Sequence, residues 1–169
     1  SPFLGKRKLM IYDVSPQKTE ALSTMAQFDA YDSIEDCVPQ ADVIFLAVKP
    51  YHKESLFDSI KPYINQEQVF VSLMAGVTIN TIQEGLGIKK VIRTMPNFPA
   101  KVGKGVTSFT ESKEVSRIEL LTVRSLLDTT GASIHVETEN FIDASTGISG
   151  SGPAYIFYFM QSMLEAALK

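Results

Sequence analysis

Short, nearly continuous apolar runs alternate with stretches of helical periodicity along most of this chain. Lys8–Val14 reads as a strand ending near Asp13, and Ser15-Pro16 then opens a stretch in which Ala21, Leu22, Met25 and Phe28 fall on one helical face. Asp42–Val48, Val69–Leu73 and Val91–Met95 are apolar runs of the kind buried on both faces of a parallel sheet. Between them, Tyr51–Ile64, with Leu56, Phe57, Ile60 and Ile64, and Thr78–Leu86 repeat at helical spacing. Val106–Thr110, Val115–Leu127 and Ser133–Val136 add a strand, a helix and a strand to the same sheet. The alternation predicts an α/β fold, a doubly wound parallel sheet joined by right-handed crossovers.

The strand signal ends at Glu139. Phe141–Ile148 and Ala154–Leu168 then read as helices, the second carrying Tyr155, Ile156, Phe157, Phe159, Met160, Met163 and Leu164 around most of its circumference. Such a helix needs burial on several sides. It is either a core helix of the same domain or the beginning of an all-helical second domain. The sharper reading divides the chain into 1–138 and 139–169. Between the two helical stretches, Ile148–Tyr155 holds Gly150, Ser151, Gly152 and Pro153, which suits either a plain linker or a ligand-facing helix start with close backbone approach. The chain begins at Ser1 without a methionine and stops inside an apolar pattern, as expected of a piece of a longer protein.

Ligands of open parallel sheets bind at the carboxyl ends of the strands. Asp13 and Ser15 follow the first run, Ala47, Val48 and Lys49 the second, Ala75 and Gly76 the third, and Pro96 and Asn97 the fourth. Each alone suits an ordinary turn, whereas four small, polar or Pro-bearing ends together favour a cofactor edge. Asp13 is placed to accept hydrogen bonds from the ribose hydroxyls of NAD, and Ser15 to bond the extra phosphate of NADP. The choice between the two stays open. Lys49 is a solvated turn residue or a cofactor neighbour. Asn97, stiffened by two prolines, either faces a pocket or satisfies turn amides. The glycine fingerprint that holds a pyrophosphate at a helix start is missing from these 169 residues.

Composition narrows the choices. With 16 basic and 19 acidic residues, a formal charge of −3 provides no basic face for nucleic acid or for an anionic membrane. No apolar run reaches spanning length. Cys37 is the single cysteine, and His52 and His135 are separated, so no metal site is expected. The cysteine usage points to a reducing, cytoplasmic setting.

Four ordered segments carry a resemblance. Ala47-Val48-Lys49-Pro50, Ala75-Gly76-Val77-Thr78, Arg93-Thr94-Met95-Pro96-Asn97-Phe98-Pro99-Ala100 and Thr146–Tyr155 resemble the pyrroline-5-carboxylate reductase family in order and spacing. The resemblance runs from Lys8 to Lys169 and covers the middle of such an enzyme. It implies a Rossmann-like domain lacking its first βα unit, where the glycine fingerprint belongs, followed by the start of an all-helical dimerisation domain. It implies an NADP- or NAD-dependent reductase that transfers a hydride to the C=N carbon of Δ1-pyrroline-5-carboxylate, giving L-proline, the last step of proline biosynthesis. It also implies a homodimer or larger homo-oligomer, and weak dinucleotide binding by this stretch alone. By the same resemblance, Ala47-Val48-Lys49 runs past the cofactor, Gly150, Ser151 and Gly152 line the substrate pocket, and Glu139 faces the substrate's ring nitrogen, though a solvated helix-start Glu is an equal reading. Ile34 stands where relatives often carry Asn, and Phe98 where they often carry Thr. No residue is assigned a catalytic role. The alternatives are a related imine or β-hydroxyacid reductase, the latter disfavoured because Gly152–Ala167 offers no lysine, and a non-catalytic homologue kept for dimerisation or regulation.

Overall fold

The apolar runs of the sequence become the strands of the sheet, with Val69–Ser72 and Val91–Met95 buried along their whole length. The structure is a computed structural model that describes residues 8–24 and 28–168. Strand β1 (Met10–Ile11) is followed by helix α1 (Pro16–Ser23), β2 (Asp29–Ala30), the single helical turn α2 (Ile34–Cys37), β3 (Val43–Leu46), α3 (Lys53–Ile60), β4 (Val69–Ser72), α4 (Ile79–Leu86), β5 (Val91–Met95), β6 (Gly105–Glu111), α5 (Arg117–Leu127), β7 (Gly131–His135), α6 (Glu139–Ser145) and α7 (Gly152–Ala167). β3 to β7 form one sheet in chain order, and β1 and β2 pair in parallel as a separate ribbon.

The expected α/β architecture is present, with three differences. First, the periodic stretch expected after Ser15 is shorter: α1 ends at Ser23, Phe28 lies beyond it, and Met25 falls outside the described residues. β2 went unread because only two residues pair, one of them the charged Asp29. Second, β6 runs antiparallel to β5, while the pairs β3·β4, β4·β5 and β6·β7 are parallel. Residues 96–104 between β5 and β6 hold only a short 3₁₀ turn, Phe98–Val102, too little chain for a parallel crossover. Third, β3 is not buried on both faces. It is one of the two edge strands of the five-stranded sheet, and Phe45 is 41% exposed.

Two apolar layers flank the central strands. Phe70 and Val91 point with Phe57, Ile60, Ile82 and Leu86 into the layer under α3 and α4. Val69, Val71, Ile92 and Phe109 meet Val123 and Leu127 of α5 on the other face, the period-two alternation of a strand. Helix ends are closed locally. Thr78 accepts the Thr81 amide at 3.1 Å, Gly87 closes α4 in the left-handed conformation at φ 71°, and Ser116 and Glu119 form a reciprocal capping box on α5.

Candidate functional site

Leu46, Ser72 and Arg93 stand in register across β3, β4 and β5, so the segments leaving these strands share one carboxyl edge. Ala47 and Lys49 are exposed there. Ala75 and Gly76 occupy a tight turn in which the Val77 N–H reaches the Met74 carbonyl at 3.4 Å. Gly76 has φ 71°, and nothing lies within 4 Å of where a Cβ would stand. The turn's backbone demands glycine, and its outer face is open. Asp13 and Ser15 stand apart on the β1–β2 ribbon. Asp13 accepts the Ser15 amide at 2.9 Å and has the Lys18 ammonium at 3.6 Å. Ser15 opens α1 without a side-chain capping bond, which leaves its hydroxyl uncommitted to the helix. Ile34, in place of a polar residue, packs against the α3–α4 layer.

Asn97 spends both ends of its amide. Its Oδ1 accepts the Val106 N–H at 2.9 Å and its Nδ2 donates to the Ser149 hydroxyl at 3.1 Å. Both ends of the Asn97 amide are thus engaged within the protein. The same side chain ties the carboxyl edge to the junction between α6 and α7. That junction is not the loop that its glycines and serines suggested. A π-helical turn, Thr146–Gly150, carries the backbone almost continuously from α6 into α7, with Pro153 in the first turn of α7. Ser151 donates its amide and its hydroxyl to the Thr146 carbonyl, at 3.0 and 3.1 Å. A Cβ on Gly150 would stand 3.7 Å from Met95 Sδ, whereas Gly147 and Gly152 face open space. π-turns inside helices are frequent at functional sites.

The strongest polar cluster lies below this edge and was missed from the sequence. Arg93, fully buried in β5, donates from Nη1 to Glu139 Oε1 at 2.9 Å and from Nη2 to Asp143 Oδ1. Glu139 Oε1 also accepts the Ile79 N–H at 2.9 Å, at the start of α4, where a negative group is favoured by the helix dipole. The solvated reading of Glu139 is therefore incorrect: its side chain is 31% exposed, but one oxygen holds two donors. Glu139 borders an open cleft of ≈ 490 Å³ with Asn80, Gln83, Thr110 and Glu111. Asn97 and Gly150 are not part of that cleft, so the residues expected at the substrate are divided between two places. A usable signal existed for the cluster. An arginine inside an otherwise buried strand needs carboxylate partners, and Glu139 and Asp143 lie one helical turn apart.

Other ionisable groups serve the scaffold. Burial pushes the Cys37 thiol up, away from reactivity. Among the described residues, no three His, Cys, Asp or Glu gather as a metal site, and no helix is long and apolar enough to cross a membrane.

Two family models match the chain: the coenzyme F420-dependent NADP oxidoreductase model over residues 4–76 and the pyrroline-5-carboxylate reductase dimerisation model over residues 139–169. Pyrroline-5-carboxylate reductase 2 of Bacillus subtilis is 44% identical over 129 residues, 76% of this chain and 46% of the relative. Pyrroline-5-carboxylate reductase of Escherichia coli is 35% identical over 162 residues, 95% of this chain and 60% of the relative. The chain belongs to the pyrroline-5-carboxylate reductase family. It spans about half to three-fifths of the length of these relatives. A crystal structure of the Plasmodium falciparum pyrroline carboxylate reductase with NADP bound superposes with a TM-score of 0.81 at 27% identity, over 95% of this chain and 58% of that one. The fold expected from the resemblance, a parallel-dominated Rossmann-like sheet leading into the dimerisation helices, is the fold of this family. The dimerisation match begins at Glu139, the residue that Arg93 and Ile79 hold.

Proposed function

We propose that the protein containing this chain reduces the C=N bond of Δ1-pyrroline-5-carboxylate to L-proline with NADPH or NADH, in the cytoplasm. The observation that supports this reading most is the adjacency of the open carboxyl edge and the α6–α7 junction, coupled through Asn97 and Ser149, in a chain that is 44% identical to a named reductase of this kind. When bound, the reduced nicotinamide would supply a hydride for the new C–H bond, the C=N π pair returning to a ring nitrogen that enters as the iminium and already carries its proton. The residues present suit a dinucleotide along this edge. Ala47, Val48, Lys49, Ala75 and Gly76 offer backbone and small side chains for close approach, and Gly76 leaves its outer face clear. Asp13 suits ribose hydroxyls, while the Ser15 hydroxyl and Lys18 suit a 2′-phosphate. Asn97 holds the nicotinamide end of the edge against the junction, where Gly152 opens onto free space and Gly150 and Ser151 lie beside it to flank a small cyclic substrate. No covalent nucleophile is required.

The division at 138/139 separates a dinucleotide-binding unit from a helical unit that assembles as a homodimer or larger homo-oligomer. The apolar side chains of α7 support that assembly. The test is the oxidation of NADPH and NADH by the full-length gene product with pyrroline-5-carboxylate as substrate. Turnover is expected, and the ratio of the two rates reads the balance between Asp13 and Ser15. Dinucleotide binding without turnover would move the assignment to another imine, and absence of both would favour a non-catalytic homologue.

A further inference from the structure

We propose that Arg93 is a positioning residue for hydride transfer, holding the α6–α7 junction at a fixed distance from the carboxyl edge of the sheet. This inference rests on the reductase reading above. β5 and α6 are joined at successive levels: Arg93 to Glu139 and Asp143, Met95 alongside Gly150, and Asn97 to Ser149. Arg93 is the anchor of that series, because it is the charged member and is fully buried. Its fork spans two carboxylates one helical turn apart, which fixes α6 in both translation and rotation. A lysine's single ammonium cannot reproduce that. Through Glu139 the same guanidinium is linked to the start of α4 at Ile79, so the helix that follows the Gly76 turn and the helix that leads into Gly150 share one charged pin. The Arg93 Nε has no hydrogen-bond partner among the described residues, so the side chain is held by these two carboxylates rather than by a wider polar network.

Hydride transfer depends steeply on approach distance, and a displacement of about an ångström costs on the order of a hundredfold in rate. Arg93 touches neither reacting group in this scheme. It sets the distance between the elements that carry them.

The test uses the full-length gene product, after turnover by the unaltered protein has been established. Dinucleotide Kd, kcat, and the primary isotope effect with dinucleotide deuterated at the transferred position are measured for Arg93→Lys and Asp143→Asn. For Arg93→Lys, kcat falls at least about tenfold, dinucleotide Kd stays within about twofold because the edge loops are untouched, and the isotope effect on kcat rises as transfer becomes slower than the other steps. Asp143→Asn keeps the arginine and the Glu139 contact, and gives the same pattern at smaller amplitude. Should Arg93→Lys not fold, the Asp143→Asn pattern decides. Unchanged kcat in a folded variant overturns the proposal. So does a fall in kcat accompanied by an equal loss of dinucleotide affinity with no change in isotope effect, which is general damage to the fold. Absence of turnover by the unaltered protein is read before any variant and removes the reductase assignment itself.

Discussion

Helices α4 and α7 are both rich in apolar residues, yet they meet opposite fates. In α4, Ile79, Ile82 and Leu86 are buried against the sheet, and both ends are closed, by Thr78 and by Gly87. In α7, Tyr155, Ile156, Phe157, Phe159, Met160, Met163 and Leu164 are each more than half exposed. Its described tether to the sheet side is an edge-on contact of Phe157 with Phe98 at 6.3 Å between ring centres. The apolar positions of α4 form one stripe, which a single sheet face can cover. Those of α7 run around the helix, and no single face can cover them. An exposed apolar surface of that extent marks an interaction site, and the assembly proposed above would cover it with a second copy. α6 lies between the two cases. Ile142 is fully buried and Arg93 pins its first turns to β5, so α6 docks on the sheet although the family's dimerisation match already begins there.

The contrast can be broken from either side. The largest expected effect is on α7: Phe159→Asp together with Met163→Asp abolishes self-association of the full-length gene product, seen as a fall to monomer mass in sedimentation, while the circular dichroism of the sheet unit is retained. Persistence of the oligomer would show that α7 is covered by something other than its own copy. Next is Ile82→Ala in α4, which opens a cavity in a fully buried layer and lowers unfolding free energy by about 2–5 kcal/mol, measured by urea denaturation. A loss below this range would mean that the α4 stripe is less closely packed than its burial indicates. Smaller is Gly87→Ala, which forces a left-handed residue to carry a Cβ, although the space itself is open. About 1–2 kcal/mol is expected, and a neutral result would mean that the cap relaxes out of the αL region.

The smallest effect concerns Glu119. Burial acts to raise its carboxyl, but hydrogen bonds from Ser116 and Lys90 outweigh it and hold the group below its ordinary value. A carboxylate depressed in the folded state contributes stability above its unfolded pKa, about 4.3, and that contribution is lost as pH falls through the lower folded value. Glu119→Gln should therefore lower stability at neutral pH and flatten the acid limb of the stability profile. A parallel profile in the variant would show that the capping box carries no linkage.

The sequence pattern located β5 to the residue because that strand is buried along its length, and α4 to within its cap because one apolar stripe meets the sheet and both helix ends carry local caps. It also collected Ala47, Val48, Lys49, Ala75, Gly76 and Asn97 at one edge, since strand ends in a parallel sheet share a side by construction. It overestimated the burial of β3, whose cover on its outer side is not a property of its own residues. It gave the α6–α7 junction as a loop, because small residues signal a break unless a π-turn and the Thr146 carbonyl absorb their donors.

What the sequence determined by itself was periodicity, local caps and the order of elements, all set by neighbours within a turn or two along the chain. Tertiary structure alone decided the antiparallel entry of β6, the exposure of α7 and the pairing of Arg93 with Glu139 and Asp143. The Arg93 pairs join residues 46 and 50 positions apart in the chain. Such partners are fixed by packing geometry and by the charge balance a buried guanidinium requires, neither of which local pattern encodes.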